Sequence, residues 1–113
     1  MKKFSDLFNI ENLDPEERSD LFSQVAENPN TPIETLKLLA KDEDWLVRSF
    51  VAINSSTPIE TLNLLAGDEN RYVRYGVAQN PNTPPEILNL LAKDEDVDIR
   101  EYAEKNLKQR NYQ

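Results

Sequence analysis

The residues with the most chemical potential in this chain are acids and arginines that recur at one fixed spacing. Three aspartates and three arginines return every 26 residues: Asp42, Asp68 and Asp94, with Arg48, Arg74 and Arg100. Such an array could bind ions or provide paired carboxylates for hydrolysis. Carboxylate catalysis needs two acids in unlike surroundings within a cleft, and nothing in this spacing indicates one. We favour a structural interpretation, in which each arginine pairs with an aspartate of its own or the adjacent unit and each aspartate caps a helix.

The acidic tracts KDED and GDEN, which contain these aspartates, are poor candidates for calcium loops. A calcium loop needs ligand oxygens at several alternating positions and usually a turn-forming glycine among them. These tracts are short and run directly into a predicted helix, whose positive N-terminal end favours acids. The chain has no histidine and no cysteine, so it lacks the usual general base and every thiolate ligand. We therefore expect no enzyme, no catalytic residue, no metal site and no cofactor.

The charge of the chain limits its classes of partner. The formal net charge is −8. Proteins bind nucleic acids largely through Lys and Arg, which neutralise phosphates, and anionic membrane surfaces attract basic segments. We therefore expect neither a nucleic-acid nor a membrane partner. No apolar run is long enough for a signal peptide or a membrane span, which predicts a cytoplasmic location.

The elements that position these residues are specified by an internal repeat. The phrase NPNTPIETLKLLAKDED begins at Asn28 and returns, with few changes, from Asn54 and Asn80. A fixed period over most of a chain is typical of units that cannot bury their apolar faces alone and must stack. We expect one domain over residues 1–113. Its parts are N-terminal capping helices at 1–27, repeats at 28–53, 54–79 and 80–106, and a C-terminal tail at 107–113.

Each unit is predicted to contain two helices, and the first opens at Thr31. Threonine is a good N-cap, Pro32 suits the first helical position, and Glu34 can complete a capping box. The same signal returns at Thr57 and Thr83. The apolar residues of this helix fall on two sides. One side carries Ile33, Leu36, Leu39 and Ala40, and Leu38 lies on a different side. We therefore expect the helix to be buried on both sides. We favour an α-helix of about ten residues over a long 3₁₀ segment, because 3₁₀ runs rarely exceed three or four residues.

The second helix is predicted to begin near Asp44, Asn70 or Asp96, with Val47 and Val51 pointing inward one turn apart. At the ends of these helices, four recurring asparagines are expected to bond the backbone as a ladder: Asn28, Asn54, Asn80 and Asn106.

Both ends of the chain depart from the pattern. Phe22 stands where the repeat has arginine, and a loosely matching segment precedes it, with Phe4, Leu7, Phe8 and Ile10. No proline-rich turn follows the last unit, so we expect the final helix to run into solvent or fray.

The motifs TP, LLA, VR and NP at these offsets, over about residues 14–106, resemble the leucine-rich repeat variant family. The resemblance implies an all-α fold, a short right-handed α-solenoid of two-helix repeats akin to HEAT repeats, in which α- and 3₁₀-helices alternate. One branch of the family carries a cysteine-ligated iron–sulfur cluster before the repeats. This chain has no cysteine, so that feature is not carried over. The resemblance implies scaffold-type binding and no particular activity.

The positions that vary between units suggest a binding surface. Helical solenoids commonly use one layer of helices to bind partners, and the variable positions of the second helices carry aromatic, aliphatic and arginine residues typical of protein interfaces. We predict this partner-binding set: Trp45, Leu46, Ile53, Arg71, Tyr72 and Tyr75. The alternative is that the aromatics pack onto adjacent units or cover the open ends. Phe50, Gly76 and Tyr102 are expected to lie closer to the core.

Three functions are compatible with these features. The favoured one is a non-enzymatic scaffold that binds an unidentified protein through the variable face of the second helices. The alternative is a repeat module that self-associates through its ends, so that the chain is a monomer or a weak oligomer. A less favoured third is an acidic mimic of nucleic acid that inhibits a basic protein, motivated by the run Asp94, Glu95, Asp96, Asp98 and Glu101.

Overall fold

The computed structural model describes residues 13–110, and within them the chain forms seven α-helices and no strand. They are α1 (Pro15–Glu27), α2 (Ile33–Leu39), α3 (Trp45–Ile53), α4 (Ile59–Leu65), α5 (Arg71–Gln79), α6 (Pro85–Leu91) and α7 (Val97–Arg110). The all-α fold class is therefore confirmed. The segment with Phe4, Leu7, Phe8 and Ile10, which was expected to match the repeat loosely, lies outside the described residues.

The helices α1, α3, α5 and α7 each pack against the next in that order, and we call them the second-helix series. The predicted starts of three of them are confirmed: Asp44 accepts a hydrogen bond from the N–H of Leu46, and Asn70 accepts one from Tyr72. Asp96 does the same for α7, accepting from the N–H of Asp98. These side chains satisfy donors that a helix leaves open in its first turn.

The inward face of this series is the predicted one. The residues at its valine positions are all fully buried: Val47, Val51, Val73 and Val77, with Ile99 and Ala103 as their counterparts in α7. Gly76, in the middle of α5, lies so close to α3 that an added Cβ would stand 2.8 Å from Cβ of Ala52. The glycine permits this close approach between the two helices.

The short helices α2, α4 and α6 start differently from the expectation. The prediction that Thr31 is the N-cap was wrong, and so it was for Thr57 and Thr83. Pro32 takes the N-cap position, because its carbonyl accepts the first helical bond, from Leu36, at 3.0 Å. The threonine hydroxyl is buried and donates to a carbonyl of the preceding helix, as Thr57 does to Val51 at 2.7 Å. The carbonyl of Val51 also accepts the N–H of Asn54, so the hydroxyl is a second donor at the end of that helix.

These short helices are α-helical throughout, so the alternation with 3₁₀-helices implied by the resemblance was wrong for them. Each has seven residues rather than about ten. A closing turn ends α2, in which Lys41 and Asp42 donate to the carbonyls three residues back, Leu38 and Leu39. Bonds of this tight 3₁₀ type also occur at the start of α4 and α6, where the N–H groups of Thr61 and Ile87 donate to Pro58 and Pro84, so 3₁₀ geometry is limited to the helix ends.

The expected burial on two sides of these helices was also wrong. Leu36 and Leu39 are fully buried with their counterparts, and Leu38 is partly buried. The remaining apolar positions face outward in one unit or another: Ile33, Ile59, Leu64 and Leu90 are each more than half exposed. The short helices pack mainly on the second-helix series, so only the side facing that series is covered.

The last helix is longer than its counterparts and continues through Arg110. Up to this residue it does not fray, and Lys108 and Gln109 are exposed, as expected for a helix that runs into solvent. The guanidinium of Arg110 donates to the carbonyls of Pro81 and Thr83, in the turn before α6. This contact holds the end of the helix against the third unit.

Candidate functional site

The arginines of the repeat form a ladder of ion pairs between units. Arg48 donates from Nε and Nη2 to the carboxylate of Asp68, at 2.8 and 3.2 Å. Arg74 makes the same pair with Asp94, at 2.9 and 3.3 Å, and these hydrogen bonds raise the pKa of Arg74. The predicted pairing with an aspartate of the adjacent unit is therefore confirmed. Two parallel bonds per pair fix the orientation of one unit on the next.

The remaining nitrogen of each arginine binds its own unit. Nη1 of Arg48 donates to the carbonyls of Asp42 and Glu43, at 2.8 and 3.1 Å, and Arg74 repeats this with Asp68 and Glu69. One guanidinium thus holds the acidic turn of its own unit and the aspartate of the next.

The predicted capping role of the ladder aspartates was wrong. Asp68 accepts the N–H of Asn70, two residues on, at 2.9 Å, and so orders the turn before the helix. The helix itself is capped by Asn70. Because the second oxygen of Asp68 is bound by Arg48, this carboxylate is fully used by the structure.

The first unit builds its rung of the ladder with a different residue. Phe22 occupies the arginine position, and Arg18, one helical turn earlier, pairs with Asp42 at 2.7 Å instead. The guanidinium lies over the Phe22 ring, 4.3 Å from its centroid, and its hydrogen bonds to Asp42 raise the pKa of Arg18. The sequence analysis missed this pair. The signal was present, because residues four apart lie on the same face of a helix.

The asparagine ladder is confirmed. The side-chain amide of Asn80 donates to the carbonyls of Ala52 and Asn54, both at 2.9 Å, and its oxygen accepts the N–H of Asn82. Asn54 and Asn106 donate to the equivalent carbonyls, whereas the Asn28 side chain, among the residues that the structure describes, accepts only from the N–H of Asn30. The ladder therefore consists, within residues 13–110, of three of the four predicted asparagines, each of which donates to two backbone carbonyls of the preceding unit.

These two ladders use the most chemically suggestive residues of the chain for structure. Among residues 13–110 there is also no group of three or more acidic, histidine or cysteine side chains arranged to hold a metal ion. Within the same residues, no helix is both long and apolar enough to cross a membrane. The remaining candidate is the predicted partner-binding set.

The centre of that set is an exposed aromatic pair. Trp45 at the start of α3 stacks on Tyr72 of α5, with the ring centroids 5.1 Å apart and the planes inclined by 27°. The two residues are still 42% and 53% exposed. The pair agrees in part with both predictions made from the sequence. The two rings pack across adjacent units, as the alternative prediction stated, and they also present apolar surface to solvent, as a binding surface requires.

Arg71 extends the aromatic pair towards α7. Its guanidinium lies 5.3 Å from the centroid of the Tyr72 ring, and its Nε donates to Asp96 at 2.7 Å. A second nitrogen pairs with Asp98 at 3.2 Å. Burial acts to raise the pKa of Asp96, but the N–H groups of Asp98 and Ile99 and the charge of Arg71 outweigh it, so the pKa lies below its usual value.

The other predicted residues differ in exposure. Ile53 is exposed at the end of α3, Leu46 is half-buried, and Tyr75 packs partly on the core. The ring of Tyr75 meets Tyr102 edge-on, with the centroids 5.4 Å apart.

A depression of about 190 Å³ is lined by Arg71, Tyr72, Tyr75 and Asp98. Asp98 was not in the predicted set, although its position two residues into α7 places it opposite the start of α5. Three of the six predicted residues, Arg71, Tyr72 and Tyr75, thus line one depression. Trp45 lies beside it and stacks on the ring of Tyr72.

Comparison with known proteins gives one match. No curated protein and no solved structure matches the chain. Residues 71–96 match the model of a protein family described as leucine rich repeat variant. The matched segment is as long as one period of the repeat. It contains the ion pair of Arg74 with Asp94 and one of the ladder asparagines, Asn80. The repeated motifs predicted a resemblance to the leucine rich repeat variant family. This resemblance is confirmed for the segment that runs from the start of α5 to the cap of α7.

Proposed function

We propose that this protein is a non-enzymatic protein-interaction module that binds a partner through the exposed face of its second-helix series. The observation that carries the proposal is the Trp45–Tyr72 stack, in which two large aromatic rings are held in place and remain about half exposed. Repeat domains of the leucine rich repeat variant kind are generally protein-interaction modules, which supports the class of function.

The physical basis is preorganisation. Aromatic and arginine side chains often dominate the binding energy of protein interfaces, and a side chain that is already held in place loses less conformational freedom on binding. Here Tyr72 is fixed between Trp45 and Arg71, and Arg71 is in turn held by Asp96. A partner would therefore bind a surface whose side chains are already ordered, and binding would cost little conformational entropy. Ile53, Leu46 and Tyr75 would extend the contact along α3 and α5.

The frame for this surface is proposed to be a short right-handed solenoid of stacked 26-residue units within one domain, residues 1–113. The two ladders support it, because each joins equivalent atoms of successive units. Stacking of this kind would place the variable positions of α3, α5 and α7 side by side on one face.

The test is affinity capture from the native lysate with wild type and a Trp45→Ala/Tyr72→Ala variant. We expect the double variant to lose at least one specific partner that wild type captures, since truncating two central anchors each worth about 2 kcal/mol or more would weaken binding beyond detection. Circular dichroism should show equal helicity for both proteins.

The matched control is Ile59→Ala/Leu64→Ala, which removes equal numbers of large apolar residues from α4, where they are 58% and 56% exposed. It should keep the partner. Loss of the partner with the α4 variant alone would move the site to the short helices. Equal capture by all three proteins would remove the aromatic pair from consideration.

A further inference from the structure

The third ladder arginine, Arg100, is arranged like the others but lacks their partner. Its Nη1 donates to the carbonyls of Asp94 and Glu95, at 2.7 and 3.1 Å. The corresponding bonds of Arg48 measure 2.8 and 3.1 Å, and those of Arg74 measure 2.9 and 3.2 Å. The guanidinium of Arg100 is therefore held by its own unit as the other two are.

The difference lies in the other two nitrogens. In Arg48 and Arg74, Nε and Nη2 bind the aspartate of the following unit. In Arg100 these two donors have no hydrogen-bond partner within residues 13–110. The only fully buried side-chain polar atom without a partner in that range is Oγ of Ser23, so the free donors of Arg100 reach solvent.

We propose that Arg100 is a carboxylate-binding site that receives an aspartate from an acidic turn of a partner protein. Two filled sites of this kind occur in the protein, at Arg48 and Arg74. In each of them Nε and Nη2 bind the two oxygens of one carboxylate, at 2.8–3.3 Å. A guanidinium already fixed by two carbonyls loses little freedom on binding, and its fork matches a carboxylate in shape.

The surroundings favour an aspartate in a turn over a phosphate group. Each carboxylate that fills the ladder also accepts an N–H two residues on, so the preferred ligand is the turn as a whole. Glu95 and Glu101 flank Arg100 in sequence and are exposed, and repulsion from them grows with the charge of the ligand. A singly charged carboxylate is therefore favoured over a phosphate dianion.

A second copy of this chain is a poor occupant. Ala52 and Ala78 are fully buried where one unit packs on the next, but the equivalent position in α7 is Glu104, which is exposed. A unit of the same kind stacking on α7 would have to bury that carboxylate without a partner. The acidic turn is instead expected on a partner whose contact with α7 leaves Glu104 in solvent.

The test is NMR of the Arg100 Nε–H resonance, assigned by its absence in Arg100→Lys. The probe is the capped peptide Gly-Asp-Glu-Asn, which is the turn that Arg48 binds, at residues 67–70. We expect a saturable shift of the Arg100 signal. The control peptide Gly-Asn-Glu-Asn should bind about tenfold more weakly, because it offers a neutral acceptor in place of a charged one.

The occupied site of Arg74 provides the internal control, and its Nε–H resonance should not move. Three results would overturn the proposal. The first is an equal shift with both peptides, or an equal shift at Arg74. The second is a larger, saturable shift with inorganic phosphate, which would make Arg100 a phosphate site. The third is a shift that depends on protein concentration without peptide, which would assign the site to a second copy. None of these results bears on the Trp45–Tyr72 surface, because Arg100 does not line its depression.

Discussion

At the scale of single residues, polar groups that look reactive in the sequence prove to be backbone partners. Asn80 is only 1% exposed, and the hydrogen bonds of its side chain are all to main-chain atoms. Thr83 is fully buried and donates to a helix-end carbonyl. Helix ends expose carbonyls that need donors, and in a chain of many short helices such ends are frequent. Repetition of a polar residue in this protein therefore follows from repetition of helix ends.

We predict that Asn80→Ala destabilises the protein by about 2–4 kcal/mol, since it leaves the carbonyl of Ala52 and the N–H of Asn82 without their partner and each costs about 1–3 kcal/mol before relaxation. The carbonyl of Asn54 keeps the N–H of Thr57. The measurement is urea unfolding followed by circular dichroism. Asn28→Ala is the matched control, because Asn28 is exposed and its side chain binds, within residues 13–110, only the N–H of Asn30. A loss for Asn28→Ala as large as that for Asn80→Ala would show that the turn, and not the inter-unit bonds, carries the stability.

At the scale of helices, the second-helix series is packed closely where residues are small. The position of Gly76 carries Phe50 in α3 and Tyr102 in α7, both of which are only partly buried. Glycine lowers helix stability by about 1 kcal/mol relative to alanine, so its presence inside α5 needs a compensating contact. The close approach of α3 and α5 provides that contact.

We predict that Gly76→Ala destabilises the protein by up to about 2 kcal/mol, because overpacking costs about 1–3 kcal/mol and the gain in helix propensity is about 1 kcal/mol. The added Cβ would meet Cβ of Ala52 at 2.8 Å and the carbonyl of Ser49 at 3.1 Å. Thermal unfolding followed by circular dichroism measures the change.

Gly67→Ala is the control for this substitution. A Cβ at Gly67 would make only an ordinary contact, 3.8 Å from the carbonyl of Leu64, and the equivalent positions carry Lys41 and Lys93. The variant should be unchanged or stabilised by up to about 1 kcal/mol. Equal melting of Gly76→Ala and wild type would mean that α3 and α5 can separate without cost.

The helices that could be predicted from the sequence are those whose signals are local. Asp44 and Asn70 cap as expected because a cap depends on a few adjacent residues, and Val47 and Val51 are buried because a spacing of four defines a helix face. Thr31 was misassigned because its hydroxyl can either accept an N–H of the following helix, as an N-cap does, or donate to a carbonyl of the preceding helix, and only the fold decides between these roles. The exposure of Leu64 likewise depends on which helices meet, and no local pattern contains that information. The position of Arg18, one turn before Phe22, was a local signal for its pairing with Asp42, but it was missed because the residue lies outside the register of the repeat.

At the scale of the whole molecule, attraction within the ladders is set against repulsion among the acids. The net charge is −8, whereas the side chains of the two inner ion pairs are only about a tenth exposed, at 12% and 11% for Arg48 and Asp68 and 11% and 9% for Arg74 and Asp94. Added salt screens exposed charges much more than such partly buried pairs. The balance between the two effects can therefore be shifted without changing the sequence.

We predict that the urea midpoint rises when the salt concentration increases from about 0.01 M to about 0.1 M, which shortens the Debye length from about 30 Å to about 10 Å. Screening should relieve the long-range repulsion and leave the ladders largely intact. The control is Glu43→Gln/Glu69→Gln, which removes two exposed carboxylates but keeps the carbonyls that Arg48 and Arg74 bind. This variant should respond less to salt. A midpoint that falls with salt would mean that the ion pairs outweigh the repulsion.

The Trp45–Tyr72 stack also makes the protein its own optical reporter. Trp45 is the only tryptophan in the chain, and its ring lies across the contact between α3 and α5. Its emission therefore comes from one defined junction, and separation of the two rings would change its spectrum and its quenching by small solutes. Unfolding can thus be followed at that junction by fluorescence and in all helices by circular dichroism, with no added dye. Coincident transitions would show that the chain unfolds as one unit, whereas an earlier fluorescence transition would identify this junction as the first to open.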